Sequence, residues 1–285
     1  MDKLTFKVEK DKDKLLKYLS EQCTGVSYAS LQRALRKKDI VINNSRPNED
    51  VYIQRGDTIV LYLSKAKQSA NQPVDMIYED ENILVVNKPT GIEVVNEKGF
   101  DLYHKVLEHY SIAKSQDVQI TPVHRLDRET RGLVIFAKNE TSAKELLAAF
   151  KNRTIHKYYT ATVQGLFPYK DSTKRAYLYK DSAKAKVYIS DIKKPKYDEI
   201  ITHFTLKKQD RRSNTSLLEI ELITGKTHQI RAHLAHLGYP IIGDTKYNPN
   251  PNKKSIFNLT AQRIVFSFKP QNALYYLNGK QITLK

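Results

Sequence analysis

Apolar and polar positions follow two periods along this chain, and each period predicts its own elements. Lys14-Leu15-Leu16-Lys17-Tyr18-Leu19 begins a helical pattern, and residues 30–38 read as a second helix. In that second helix Leu31 and Leu35 share one face, Arg33, Arg36 and Lys37 fall elsewhere, and Ser30 is the expected N-cap. Residues 39–44 then alternate into a strand and turn, and Gly56-Asp57 precedes another strand over 58–63. Further along, 83–87, 133–137, 158–163 and 217–222 are expected strands, while 141–152 and 227–237 are expected helices. No internal repeat is present.

Residues 65–75 are polar and nearly free of large apolar groups, a linker composition. They divide the chain into a small domain over 1–64 and a strand-rich domain over 76–285. A length of 285 residues suits two domains, the usual domain being about 100–200 residues.

Charge narrows the class of partner. Hydrophobic residues make up 40% and charged ones 28%, as in a globular, soluble chain, but the net charge is +17. Such an excess favours polyanions, because Lys and Arg displace the counterions condensed on nucleic acid. The plain alternative is a basic protein from a Lys-rich proteome. The excess is concentrated: residues 151–197 hold twelve Lys or Arg against three acids, which predicts an RNA face there. Tyr158, Tyr159, Tyr169, Tyr177, Tyr179 and Tyr188 are interleaved with it, suited to stacking on unpaired bases or to packing on a sheet. The cations closing the helix over 30–38 suit RNA phosphates, and a helix C-terminus favours cations in any case. Cys23 is the only cysteine, so no internal disulfide and no Cys-rich zinc site is expected. Residues 1–14 lack the apolar core of a signal peptide, and no apolar run approaches the ~20 residues of a membrane span. A reducing cytoplasm is the expected compartment.

Candidate chemistry gathers at His124-Arg125-Leu126-Asp127-Arg128-Glu129-Thr130-Arg131-Gly132-Leu133, where three arginines crowd one aspartate. Neighbouring cations favour a carboxylate's charged form, as a nucleophile or general base requires. The same pattern fits a structural salt-bridge turn, and local charge alone favours that turn. Gly132 permits close backbone approach ahead of a strand. His228, His233 and His236 lack the i, i+4 spacing of a zinc helix and a completing Cys or carboxylate pair, so no metal site is expected. No P-loop or Rossmann glycine pattern is present.

The 124–132 stretch resembles the signature loop of the RluA-type pseudouridine synthases, His-Arg-Leu-Asp-x-x-Thr-Ser-Gly. It agrees at His124, Arg125, Leu126, Asp127, Thr130 and Gly132. It departs at Arg131, which adds an expected cation near the site. Three more segments match in order. Tyr78 to Gly91 is similar to the family's opening strand and Lys-Pro-x-Gly turn at Lys88-Pro89-Thr90-Gly91; beyond it the family often has Leu-x-Val-His-Pro, and this chain has Ile92-Glu93-Val94-Val95-Asn96, without the His. Lys157-Tyr158-Tyr159-Thr160-Ala161-Thr162-Val163-Gln164-Gly165 fits Lys-x-Tyr-x-Ala-x-Val-x-Gly, which makes Tyr159, not Tyr158, the active-site tyrosine. Thr224-Gly225-Lys226-Thr227-His228-Gln229-Ile230-Arg231-Ala232-His233 resembles Thr-Gly-Arg-Thr-His-Gln-Ile-Arg-x-His, with Lys226 keeping the charge but not the planar fork of the usual Arg. The likeness runs from about residue 14 to residue 269. At the N-terminal end, residues 31–44 and the Arg55-Gly56-Asp57 turn resemble an S4-like RNA-binding domain.

The resemblance implies an α+β fold: a small S4-like RNA-binding domain, then a pseudouridine synthase catalytic domain with a mixed, largely antiparallel sheet and flanking helices. It implies isomerisation of uridine in RNA, in which the N1–C1′ bond breaks and C5 joins C1′. That reaction consumes no electrons and needs no cofactor. A stacked uridine must first flip into a pocket. Asp127 would be the catalytic carboxylate, as nucleophile or by abstracting a 2′ proton. Tyr159 would stack on the uracil and help remove the C5 proton, Arg231 would pair with and aim Asp127, and Arg125 would fill the space the base leaves. His124, Thr130, Lys226 and His228 are expected at the substrate, and Arg33, Arg36 and Lys37 on RNA phosphates. The implied partner is large-subunit ribosomal RNA, with transfer RNA as the alternative, acted on by a monomer away from any membrane. The rival readings are a non-catalytic RNA-binding or ribosome-assembly protein and a metal-dependent nuclease using the histidines.

Overall fold

The computed structural model describes residues 2–10, 12–23, 28–63, 74–96, 101–114, 119–251 and 255–285. Most of the expected linker lies outside these described residues. The chain divides into two compact units, one of residues 1–74 and 91–117, the other of 75–90 and 118–285.

The first unit contains β1 (Asp2–Lys7), β2 (Asp13–Lys14), α1 (Leu15–Gln22), α2 (Tyr28–Arg36), β3 (Ile40–Ile42), β4 (Tyr52–Ile53) and β5 (Thr58–Leu63). Its helices form because their apolar residues fall on one stripe: α1 buries Leu15, Leu16 and Leu19, and α2 buries Leu31, Ala34 and Leu35. The alternate residues Ile59 and Leu61 of β5 join them with Ile40 and Ile53 in one core. The strands make an antiparallel sheet in the order β1-β5-β3 and a separate β2-β4 pair. Lys14 gives α1 no side-chain cap, and Asp50 instead accepts from the Leu16 amide at 2.9 Å. Since α2 begins at Tyr28, Ser30 lies inside it and is not the expected N-cap. The buried stripe sets the helix's phase without limiting how far the first turn extends. Arg36 and Lys37 are exposed, and the side chain of Arg33 lies outside the described residues. A further helix, α3 (Leu102–Lys114), was not expected. It buries Leu102, Val106 and Tyr110 at four-residue intervals, and Asp101 accepts from the His104 amide at 2.9 Å at its start.

The second unit holds β6 (Asp75–Glu79), β7 (Ile83–Lys88), β8 (Thr121–Pro122), β9 (Arg131–Ala137), α4 (Glu140–Asn152), β10 (Ile155–Gln164), β11 (Asp171–Asp181), β12 (Lys186–Ser190), β13 (Asp198–Asp210), β14 (Thr215–Leu222), α5 (Gln229–His236), β15 (Leu259–Phe266) and β16 (Gln281–Thr283). One sheet runs β12-β11-β13-β14-β10-β15-β9-β7-β6, with β16 paired to β15 and β8 to β9. Every pairing is antiparallel except β15 with β9, which run parallel through Thr260–Arg131 and Ala261–Gly132. The sheet is therefore mixed and largely antiparallel. Strands β7 and β9, next to the edge strand β6, are nearly continuous apolar runs because both their faces are covered. Gly132 permits the parallel junction. Its φ is +119°, and a Cβ there would stand 2.3 Å from the Ala261 carbonyl oxygen. Helix α4 is capped by Asn139, which accepts from the Ser142 amide at 2.8 Å, and it closes on a left-handed Arg153.

The expected helix over 227–237 begins later, at Gln229, because His228 takes a left-handed conformation with φ 53°. Strands β11, β12, β13 and β15 were not anticipated. No helix among the described residues is long and apolar enough to cross a membrane.

Candidate active site

The loop ahead of β9 carries Asp127, and the neighbouring side chains pin that loop to the sheet. The buried Lys88 ammonium, at the end of β7, donates to the carbonyls of Pro89 and Arg128, each at 3.0 Å. The Thr90 hydroxyl donates to the Glu129 carbonyl at 2.8 Å. The Thr130 amide closes a turn onto the Asp127 carbonyl at 3.1 Å, and the Thr130 side chain is buried. His124 holds the loop's other end: its Nε2 accepts from the Ile135 amide at 2.9 Å, and its ring lies 4.7 Å from that of Phe150. Burial, helped by the charge of Lys157, pushes His124 down to about 3, so it stays neutral as an acceptor must. His124 does not line the cleft. The structure gives it a scaffold contact, its ring nitrogen bound to a β9 amide.

Strand β10 supplies Tyr159. The pairing register with β15 shifts between Tyr158 and Tyr159, which separates the roles of the two adjacent rings. Tyr158 lies under the Arg263 guanidinium, 3.7 Å from its ring centre. Tyr159 is buried at the cleft, where burial first and the charge of Asp127 second push its phenol upward, so it remains protonated. Lys157 shares this face, two residues away on the strand. Burial lowers its pKa, and its Nζ lies 3.1 Å from where a Cβ on Gly225 would stand. The Lys-x-Tyr spacing carried this signal, although Lys157 was not singled out.

The turn from β14 into α5 supplies the remaining groups. Gln229 organises it: its Oε1 accepts from the Thr224 hydroxyl at 2.9 Å and the Lys226 amide at 3.1 Å, and its Nε2 donates to the Ile201 carbonyl at 3.1 Å. Arg231 is buried between the rings of Tyr247 and Phe257, at 5.2 and 5.0 Å. Its tight partner is Asp244, which it meets with two hydrogen bonds of 2.8 and 2.9 Å. Burial alone would raise the Asp244 carboxyl, but the hydrogen bonds and charge of Arg231 outweigh it and hold the group below the usual carboxylate range. Sequence reasoning missed Asp244. The third nitrogen of Arg231, Nη1, lies 3.7 Å from Asp127 Oδ2, and His228 Nε2 lies 3.8 Å from Asp127 Oδ1.

These groups enclose a cleft of about 150 Å³, with Arg125, Thr130 and Lys226 also on its wall. Asp127 retains 22% of its side-chain exposure there. Lys226 is paired with Asp198 at 2.7 Å, so it does not compete with Arg231 for Asp127. Arg131 is a correction. It lies opposite Thr260, donates to that hydroxyl at 2.8 Å, and lines a different cleft with Asp75, Asn87 and Gln262. Strand pairing, not sequence distance from Asp127, sets where its charge falls. The three histidines are engaged separately: His228 Nδ1 with the Tyr247 hydroxyl at 2.7 Å, His233 with Thr202 at 3.0 Å, and His236 with Asp191 at 2.9 Å. Among the described residues no group of three or more His, Cys, Asp or Glu side chains could hold a metal ion. Chemically, the cleft offers one carboxylate approached at each oxygen by a different side chain, a protonated phenol beside it, and cations on the rim.

Comparison with known proteins places this arrangement. Residues 82–236 match the family model described as RNA pseudouridylate synthase. The chain is 30% identical over 249 residues to the ribosomal large subunit pseudouridine synthase C of Buchnera aphidicola, covering 83% of this chain and 78% of that one. It is 31% identical to the protein of the same name in Rickettsia bellii, over 95% and 93% of the two chains. An uncharacterized RNA pseudouridine synthase of Mycoplasma capricolum is 33% identical, over 94% and 92%. Among solved structures, Human RNA Pseudouridylate Synthase Domain Containing 4 superposes with a TM-score of 0.62 at 19% identity, over 77% of this chain and 90% of that one, a likeness of fold.

Proposed function

The chain belongs to the RNA pseudouridylate synthase family, isomerases that act on RNA, and on that premise we propose that it converts specific uridines of large-subunit ribosomal RNA to pseudouridine through Asp127. The observation that carries the reading is the convergence of Asp127, Tyr159 and Arg231 on one cleft. A target uridine leaves its stack and enters the cleft, at a cost of a few kcal/mol. Asp127 begins the reaction, as nucleophile at C1′ or by taking the 2′ proton. Tyr159 stacks on the uracil; its phenol is protonated in the free site, so it assists loss of the C5 proton only after giving up its own. Arg231 steadies the carboxylate, and the exposed Arg125 occupies the space the base vacates.

The ribosomal target draws its support from the names of the Buchnera and Rickettsia relatives. We read residues 1–64 as an S4-like RNA-binding domain joined by a linker over 65–75 to a catalytic domain over 76–285. The exposed Arg36 and Lys37 at the end of α2 support phosphate binding by the first of these. The protein acts as a cytoplasmic monomer on this reading.

The test is pseudouridine mapping of total RNA from a deletion strain complemented with wild type or Asp127→Asn. Specific large-subunit sites should vanish on deletion, return with wild type, and stay absent with Asp127→Asn. Restoration by Asp127→Asn would remove Asp127 from the chemistry, an unchanged map would favour a non-catalytic RNA-binding role, and sites confined to transfer RNA would redirect the substrate.

A further inference from the structure

His228 combines three features that an ordinary helix-entry residue does not need. Its φ of 53° is in the left-handed region, which costs a side-chain-bearing residue about 1–2 kcal/mol and persists only where the surroundings impose it. Its Nε2 faces Asp127 Oδ1 at 3.8 Å, the oxygen opposite the one that Arg231 approaches. Its Nδ1 lies 2.7 Å from the Tyr247 hydroxyl.

The Tyr247 contact favours one tautomer. The Val187 amide of β12 donates to the Tyr247 oxygen at 3.1 Å, so that oxygen already serves as an acceptor. Its single hydrogen, which burial keeps on the phenol, is then available to His228 Nδ1. A neutral imidazole accepting at Nδ1 carries its proton at Nε2, aimed at Asp127. The other charged or titratable groups facing His228 are Arg231 on α5 and Asp244, Lys246 and Tyr247 on the following loop. Lys246 itself donates to the Ala185 carbonyl beside β12, so the loop carrying Tyr247 is tied to that hairpin at two points.

We propose that His228 is a positioning residue: fixed by Tyr247 with its proton on Nε2, it holds one oxygen of Asp127 while Arg231 holds the other, so that the carboxylate presents a single edge to the flipped nucleotide. The inference rests on reading Asp127 as the reacting carboxylate. The separation of 3.8 Å shortens to a hydrogen bond as the site closes on substrate, as catalytic contacts commonly do.

Turnover of an RNA that wild type modifies separates the possibilities. His228→Ala should lose about tenfold or more in kcat, the size of a hydrogen bond to a charged group, with KM within about twofold. His228→Gln, whose amide nitrogen reaches the Nε2 position, should recover most of that loss. Tyr247→Phe should lose a smaller factor, and His228→Ala/Tyr247→Phe should match His228→Ala, because the two residues act in series. A raised KM with unchanged kcat, or multiplicative losses, would overturn the proposal. Nitrogen-15 NMR reads the contact without turnover. Wild type should show the Nε2–H tautomer, Tyr247→Phe a mixture, and Asp127→Asn a lower titration of His228, whose protonation Asp127 favours. An Nδ1–H tautomer in wild type, or the same titration in Asp127→Asn, would also overturn it. If the NMR result holds and no RNA is modified, the failure lies with the proposed function and not with this contact.

Discussion

Asp244 grips Arg231 with both carboxylate oxygens, at 2.8 Å to Nε and 2.9 Å to Nη2, and both side chains are buried. The arginine beside Asp127 is thus aimed by a second carboxylate on the loop after α5. Removing one member of a buried pair strands the other, at a cost of about 3–5 kcal/mol. Asp244→Ala should therefore lower the melting temperature by roughly 6–20 °C, taking about 2–4 °C per kcal/mol for a unit of this size, and abolish turnover. Differential scanning calorimetry checks the first result, and a melting temperature equal to wild type would show that the pair is not structural.

Tyr159→Phe keeps the ring and removes the hydroxyl. Turnover should be lost while RNA affinity, measured by filter binding, stays within about twofold, since stacking survives. Unchanged turnover would rule out a proton role for the phenol.

Gly132→Ala places a Cβ where the Ala261 backbone already stands, at a φ that an L side chain avoids. The backbone has to yield, and the expected loss is about 2–4 kcal/mol from overpacking and strain together. Urea unfolding measures it, and a midpoint within error of wild type would contradict the tight approach of β9 and β15.

His233 is held to about 4 by burial, with a further push from His236, against an ordinary 6.5. Between those values the unfolded chain takes up a proton that the folded chain refuses. The contribution to stability is therefore complete above pH 6.5 and is lost as pH falls towards 4, at about 1.4 kcal/mol per pH unit. Urea unfolding at pH 5 and pH 7 should show this slope added to that of the equally neutral His124, and His233→Gln should lessen the total by about 1.4 kcal/mol per pH unit. Equal slopes in the two proteins would show that another group is responsible.

Legibility from sequence followed the reach of the physical signal. Strands β7 and β9 are apolar runs and could be read directly. Asp127, Tyr159 and Arg231 are grouped by family pattern, because local charge around Asp127 alone favours a salt-bridge turn. The pairing of Arg231 with Asp244 spans 13 residues and no helical or strand period, so nothing local announced it. Arg131 shows the converse, since its hydrogen bond to Thr260 carries its charge to a different cleft. Strands β11 and β12 escaped because lysines and tyrosines outnumber their buried residues, while the four-residue spacing in α3 was legible and was overlooked.

The parallel pairing of β9 with β15 has one more consequence. Asp127 and the Lys88 brace hang on one side of that junction, while Tyr159, His228 and Arg231 come from the other. On the proposed function, the reacting set is complete only once the two sides are joined in the right alignment. Catalysis, on that reading, is a checkpoint on assembly: a copy misaligned at this junction keeps its basic residues but does not bring Asp127 to Tyr159 and Arg231.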